Sequence, residues 1–149
     1  MSSGEDNLID LYFAPIAGPG SLGLRDDAAC ITPPAGYDLV ITVDGISAGR
    51  HFFADDPPGS IARKALRVNL SDLAAKGADP LGCVLTLALP AAWTTPMRAA
   101  FLDPFARALG EDTLQYSCPL LGGDSIIADG PLTISLTAFG AVPTGRMVP

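Results

Sequence analysis

Four acidic positions share one setting. Asp26-Asp27, Asp44, Asp72 and Asp124 each sit beside Gly, Ala, Ser or Thr, and Asp44 and Asp124 directly follow the runs Val40-Ile41-Thr42-Val43 and Leu120-Leu121-Gly122-Gly123. Carboxylates gathered from strand ends or a small-residue helix repel one another, and bound Mg²⁺ is the usual remedy. Small neighbours let a hydrated ion and any phosphates it carries approach the backbone. This inventory suits chemistry done by metal charge rather than by proton transfer, because the chain has 1 histidine, His51, and no nucleophile–base motif. Each acid also has an ordinary explanation. Asp72 and Lys76 are spaced as a surface helix pair contributing about 0.3–0.5 kcal/mol; Asp44 before Gly45 reads as a turn, Asp124-Ser125 as a cap, and Asp26-Asp27 as a solvated loop beside Arg25. The stretch Gly18-Pro19-Gly20-Ser21-Leu22-Gly23 lacks the Lys and Ser/Thr of a phosphate-binding P-loop.

These residues need elements to hold them. Ser2 or Ser3 can cap a short helix with an apolar stripe of Leu8, Ile9, Tyr12 and Phe13, ended by Pro15. Ala28 to Ile31 and Asp38 to Val43 read as strands joined by the Pro33-Pro34-Ala35-Gly36 turn. A helix is expected over about 59–76, closed by Gly77 and kept from continuing by Pro80. Cys83 to Leu89 reads as a buried strand, followed by a helix with Thr95 as cap and Pro96 at its first position. Pro104 inside that helix predicts a kink, or a restart capped by Asp103. Leu120-Leu121 reads as a short strand entering Gly122-Gly123-Asp124, and Leu132 to Val142 alternates like a half-buried strand. The fold class is α/β, with a mainly antiparallel sheet packed against helices.

Composition sets bounds on all of this. With 149 residues the chain is long enough for one domain, and 48% hydrophobic against 17% charged residues argues against disorder. The balance of 9 Lys+Arg against 16 Asp+Glu, a net charge of -7, speaks against nucleic acid as partner, because a phosphate backbone calls for clustered cations. Cys30, Cys83 and Cys118 have no CxxC spacing, and buried reduced thiols are expected. The N-terminus lacks the basic start and apolar run of a signal peptide, and the apolar stretch from Leu81 to Trp93 is broken by Pro90 and too short for a bilayer. A cytoplasmic chain without a membrane partner is expected.

The words around the acids are more specific than the acids themselves. In order along the chain stand Gly23-Leu24-Arg25-Asp26-Asp27-Ala28-Ala29, Thr42-Val43-Asp44, Gly49-Arg50-His51-Phe52, Asn69-Leu70-Ser71-Asp72-Leu73-Ala74-Ala75-Lys76-Gly77-Ala78-Asp79-Pro80 and Leu121-Gly122-Gly123-Asp124-Ser125. Together they resemble the N-terminal domain of the thiamine-monophosphate kinase family, within the aminoimidazole-ribonucleotide-synthetase-like superfamily. The resemblance implies that residues 1–149 form an ATP- and Mg²⁺-binding, dimerising domain, with the family's second domain outside them. It also implies a homodimer whose sheets form a central barrel, and phosphoryl transfer from ATP to thiamine monophosphate.

Carried over residue by residue, the resemblance makes Asp27, Asp44, Asp72 and Asp124 ligands of several Mg²⁺ ions, with Thr42 as an additional ligand. Gly123, Asp124 and Arg146 would contact ATP, and His51 the substrate. No catalytic residue is implied apart from the metal ligands. Other enzymes of the superfamily, of the aminoimidazole ribonucleotide synthetase, selenophosphate synthetase or hydrogenase-maturation type, and a catalytically silent dimerisation module stand as alternatives. Selenophosphate synthetase would call for a reactive Cys in the N-terminal region, and no Cys precedes Cys30.

Overall fold

The structure is a computed structural model that describes residues 4–25 and 28–149. Asp26 and Asp27 lie outside the described residues. The chain opens with α1 (Gly4–Leu8), which runs into a π-helical turn at Ile9–Phe13 and a 3-10 turn at Ala14–Ile16 that includes Pro15. Phe13 is buried, and Ile16 approaches Gly110 so closely that a Cβ there would lie 2.7 Å from its Cγ2. Four strands and two long helices follow: β1 (Tyr37–Ser47), α2 (Pro58–Ala75), β2 (Asp79–Pro90), α3 (Thr95–Gln115), β3 (Leu120–Ala128) and β4 (Thr133–Pro143).

The strand order is β1-β4-β2-β3. β4 is antiparallel to both β1 and β2, while β2 and β3 are parallel and joined through α3. That crossover is the standard solution for a parallel pair, which a tight turn cannot connect. The sheet is therefore mixed with two antiparallel pairings of three, in keeping with the expected class.

Alternation along the strands puts the core on one side. Ile134, Leu136 and Ala138 of β4 and Cys83, Leu85, Leu87 and Leu89 of β2 are buried, facing Leu66 and Leu73 of α2 and Leu102, Phe105 and Leu109 of α3. On the other side of the sheet, among the described residues, β1 is open to solvent. On β1, Tyr37, Leu39, Ile41 and Val43 are 43%, 41%, 62% and 60% exposed, whereas their alternating neighbours Val40 and Ile46 are buried.

The ends of α2 follow local chemistry. Pro58 starts it, and Gly77 ends it with φ +73, a conformation glycine adopts without a Cβ penalty. The amides of Gly77 and Ala78 then reach back to the carbonyls of Ala74 and Leu73, both at 3.0 Å. Between α2 and α3 the fully buried Asp112 is held by Arg63 and by two bonds from Arg67, Nε to Oδ2 at 2.8 Å and Nη2 to Oδ1 at 3.0 Å. This clasp joins the two helices whose inner faces make the core.

Several expectations are corrected. Ala28 to Ile31 forms no strand; the segment is tied instead to the glycine-rich turn, by the Cys30 amide on the Gly20 carbonyl at 2.9 Å, and Cys30 is exposed. Cys83 and Cys118 are buried free thiols. The cap of α3 is Thr94, whose hydroxyl accepts the Met97 amide at 3.3 Å, one residue earlier than Thr95. α3 also runs unbroken through Pro104. Asp103 caps nothing and pairs with Arg107 at 2.8 Å, one turn on. Burial of Phe101, Leu102 and Phe105 on both sides of the proline holds the helix together despite the lost hydrogen bond.

Candidate functional site

The acid-bearing elements come together in one place and stay apart in another. Thr42 and Asp44 occupy alternate positions on β1 and share its helix-facing side. Asp72 meets them from α2: the Thr42 hydroxyl donates to Asp72 Oδ2 at 3.3 Å, and the carboxyls of Asp44 and Asp72 are within hydrogen-bonding reach of each other. Asp44 stands inside β1, not at its end, because the pairing with β4 continues three residues further, to Ser47 and Thr133.

Partial burial, followed by the contact with Asp72 and its charge, holds the Asp44 carboxyl above the usual carboxylate range. Two carboxyls that meet and a hydroxyl form an all-oxygen donor set, the ligand chemistry that a hard divalent cation takes. Among the described residues no three His, Cys, Asp or Glu side chains converge, so the third donor here is the Thr42 hydroxyl.

The raised Asp44 value has a consequence with a definite sign. A carboxyl that binds its proton more readily in the folded chain favours folding below the ordinary carboxylate value, and that advantage is lost as pH rises through the raised folded value. Without divalent cations, Asp44→Asn is therefore expected to be more stable than wild type at pH 7, by up to about 0.5 kcal/mol, since the group is only partly buried. Near pH 4 the gap should shrink. Urea unfolding at the two pH values checks this, and a variant less stable at pH 7 would contradict the repulsion.

Asp124 lies elsewhere. It stands within β3, which runs on to Ala128 rather than ending at the glycines. One row across the sheet reads Gly45, Ser135, Thr86, Asp124. Asp124 is thus three strands from Asp44's neighbour, roughly 14 Å at the usual strand spacing, and on the face opposite Asp44. It borders a groove of about 850 Å³ between the N-terminal segment and the β2–β3 edge, lined among others by Asp10, Arg25, Gly122, Gly123 and Ser125. Arg25 reaches Asp10 at 3.5 Å on its rim, and Asp124 Oδ1 accepts the Ser125 amide at 2.9 Å. At Gly123 the backbones are so close that a Cβ would lie 1.8 Å from the Leu85 carbonyl oxygen.

His51 sits in the turn after β1, exposed, with Nδ1 accepting the Ser47 amide at 3.0 Å. Lys64 of α2 donates to the His51 carbonyl. Sequence reasoning did not find this contact, because 13 residues and a loop separate the partners and an exposed helical lysine carries no signal of its own. Arg146 is exposed in the turn after β4, its amide on the Pro143 carbonyl at 2.9 Å. Within this chain it is not brought to Gly123 and Asp124: their row crosses β4 at Ser135, roughly 25 Å along the strand from Pro143.

With this geometry in hand, comparisons give the lineage. Residues 25–142 match the family described as AIR synthase related protein, N-terminal domain. The chain is 45% identical over 130 residues to thiamine-monophosphate kinase of Caulobacter vibrioides, covering 87% of this chain and 36% of the relative. With that of Escherichia coli K12 it shares 40% identity over 149 residues, 98% of this chain and 44% of the relative. The chain thus spans less than half the length of these curated relatives. Among solved structures, thiamine-monophosphate kinase from Stenotrophomonas maltophilia superposes with TM-score 0.72 at 37% identity, over 96% of this chain and 42% of that one. AaThiL complexed with AMPPCP and TMP gives 0.69 at 26%, over 99% and 45%. Hydrogenase maturation protein HypE in complex with ATP gives 0.77 at 20%, over 97% and 42%, a likeness of fold alone. A β1-β4-β2-β3 sheet backed by two helices, and a family match over the stretch that builds it, place this chain in the AIR synthase related family as an N-terminal domain.

Proposed function

We propose that this chain is the ATP- and Mg²⁺-binding, dimerising part of a cytoplasmic kinase that transfers the γ-phosphoryl group of ATP to the phosphate of thiamine monophosphate, giving thiamine diphosphate and ADP. The observation that carries this reading is the Asp44–Asp72 carboxyl pair with the Thr42 hydroxyl, in a chain 45% identical over 130 residues to a thiamine-monophosphate kinase. A phosphate monoester has its second pKa near ~6, so the acceptor oxygen is ionised at pH 7 and no strong base is called for. The difficulty is to bring two anions together, which positioning and cation charge solve. Thr42, Asp44 and Asp72, with Asp27 and Asp124, would hold Mg²⁺, whose charge offsets that of the phosphates.

The remaining roles follow the family resemblance. The groove lined by Gly122, Gly123, Asp124 and Ser125 would take ATP. Arg146 is the basic candidate for an ATP contact, and its distance along β4 from that groove calls for a partner copy or a chain movement to bring it there. His51 would contact thiamine monophosphate.

The open face of β1 supplies the dimer surface. Tyr37, Leu39, Ile41 and Val43 form a stripe on an edge strand, and unprotected apolar edges seek a partner. A second copy of the same sheet would cover it, as in a closed barrel. The double variant Ile41→Glu, Val43→Glu is expected to weaken self-association at least about tenfold while preserving the monomer's circular dichroism. Sedimentation reads the outcome, and an unchanged dimer rules this surface out.

The decisive assay incubates the full-length gene product with ATP, Mg²⁺ and thiamine monophosphate. Thiamine diphosphate should form in step with ADP, and stop on chelation of the metal. A folded protein that makes no thiamine diphosphate would sink the reading, and one that also shows no Mg²⁺-dependent nucleotide binding would favour a silent dimerisation module.

A further inference from the structure

We propose that Lys64 is a positioning residue for His51, holding the imidazole as an Nε2–H donor presented to the substrate. The inference rests on the reading that His51 contacts thiamine monophosphate. A main-chain N–H can only donate, so the bond from the Ser47 amide to His51 Nδ1, 3.0 Å, requires the Nδ1 lone pair. The single proton of the neutral ring is then on Nε2, the atom left for a ligand.

That ring orientation depends on the turn beneath it. The His51 and Arg50 amides bond the Ser47 carbonyl at 3.0 and 3.2 Å, and the Gly49 amide bonds the Phe52 carbonyl at 2.8 Å. Phe52 is buried and anchors one side of the turn in the core. The His51 carbonyl, on the outer side, is held from α2 by the Lys64 ammonium. Lys64 is therefore the link between the helix that carries Asp72 and the residue that would meet the acceptor substrate. An ammonium has three donors and one is spent here, so the charge stays beside His51 and favours an anionic acceptor at Nε2.

The test uses the His51 ring as its own probe. In a long-range ¹H–¹⁵N spectrum of the full-length protein, the His51 signals, identified by their loss in His51→Gln, should show the Nε2–H tautomer. Lys64→Met keeps the apolar stem and removes the donor. In that variant the two ring nitrogens should move toward the shifts of mixed tautomers. In the full-length enzyme its KM for thiamine monophosphate should rise about five- to twentyfold with kcat within about twofold, the scale of loosening one charge-assisted contact. Lys64→Arg, which can still donate to the carbonyl, should restore both readouts. An unchanged tautomer pattern or an unchanged KM in folded Lys64→Met overturns the inference. If the wild type makes no thiamine diphosphate, the kinase reading fails, and the tautomer comparison alone decides whether Lys64 positions His51.

Discussion

In the full-length protein, replacing Asp72 by Asn is expected to lower the proposed Mg²⁺-dependent phosphoryl transfer about 10²–10³-fold, the usual cost of losing one preorganised electrostatic group, while leaving the folded chain intact. Asp72 is exposed on α2, so its loss opens no cavity. It touches Thr42 and Asp44, and an amide can still accept the Thr42 hydroxyl while ending the repulsion with Asp44. The variant should therefore melt at the wild-type temperature or slightly above it, and Mg²⁺ should stabilise it less than it stabilises wild type, because ligand binding to the native state adds to stability. Turnover and thermal melts with and without Mg²⁺ separate the two effects. Full activity in Asp72→Asn would remove the carboxyl pair from the mechanism; loss of activity through unfolding would mean that the residue is structural.

Gly123→Ala should be the most damaging small substitution in the sheet. The added methyl carbon would lie 1.8 Å from the Leu85 carbonyl oxygen, with Leu85 N at 3.0 Å, so the β2–β3 backbones must separate. Overpacking against main chain, which cannot rotate away, is expected to cost about 2–4 kcal/mol and to disturb the groove that Gly123 lines as well. Its neighbour is the control. At Gly122 the nearest atom to an added Cβ is Val84 Cγ1 at 4.0 Å, ordinary contact, so Gly122→Ala should stay within about 0.5 kcal/mol of wild type. Urea unfolding midpoints check the pair, and equal midpoints would show that the close approach at Gly123 is not obligatory.

Much of this architecture was legible in residue order because hydrophobic period and helix punctuation agreed. The helix expected over about 59–76, closed by Gly77, matches α2 to within one residue at either end. Strand ends were harder to read. Gly45 and the Gly122-Gly123 pair resemble turn residues, yet both strands continue past them, because the partner strand runs on beside each: β4 pairs with β1 as far as Ser47, and β2 pairs with β3 as far as Ala128. The Ala28–Ile31 segment has strand composition but bonds to the Gly20 turn instead. Composition cannot reveal which edges are free.

The candidate site divides along the same line. Thr42, Asp44 and Asp72 came together because a two-residue strand period and a helix packed over it place them on one face. The separation of Asp124 follows from strand order, which no local pattern encodes: β4 and β2 stand between it and β1. The Arg63–Asp112–Arg67 clasp likewise depends on how α2 and α3 pack.

The position of β4 also governs how the molecule is made. β4 follows β1, β2 and β3 in sequence and lies between β1 and β2 in the sheet, so β1 has no strand partner in this sheet until residues 133–143 have been synthesised. On a translating ribosome the β2–α3–β3 unit can assemble as it emerges, but β1, apolar on its exposed stripe, must wait for more than eighty further residues (47 to 133). Contacts of such sequence separation form slowly. Nascent chains halted before β4 should thus be the ones that chaperones retain.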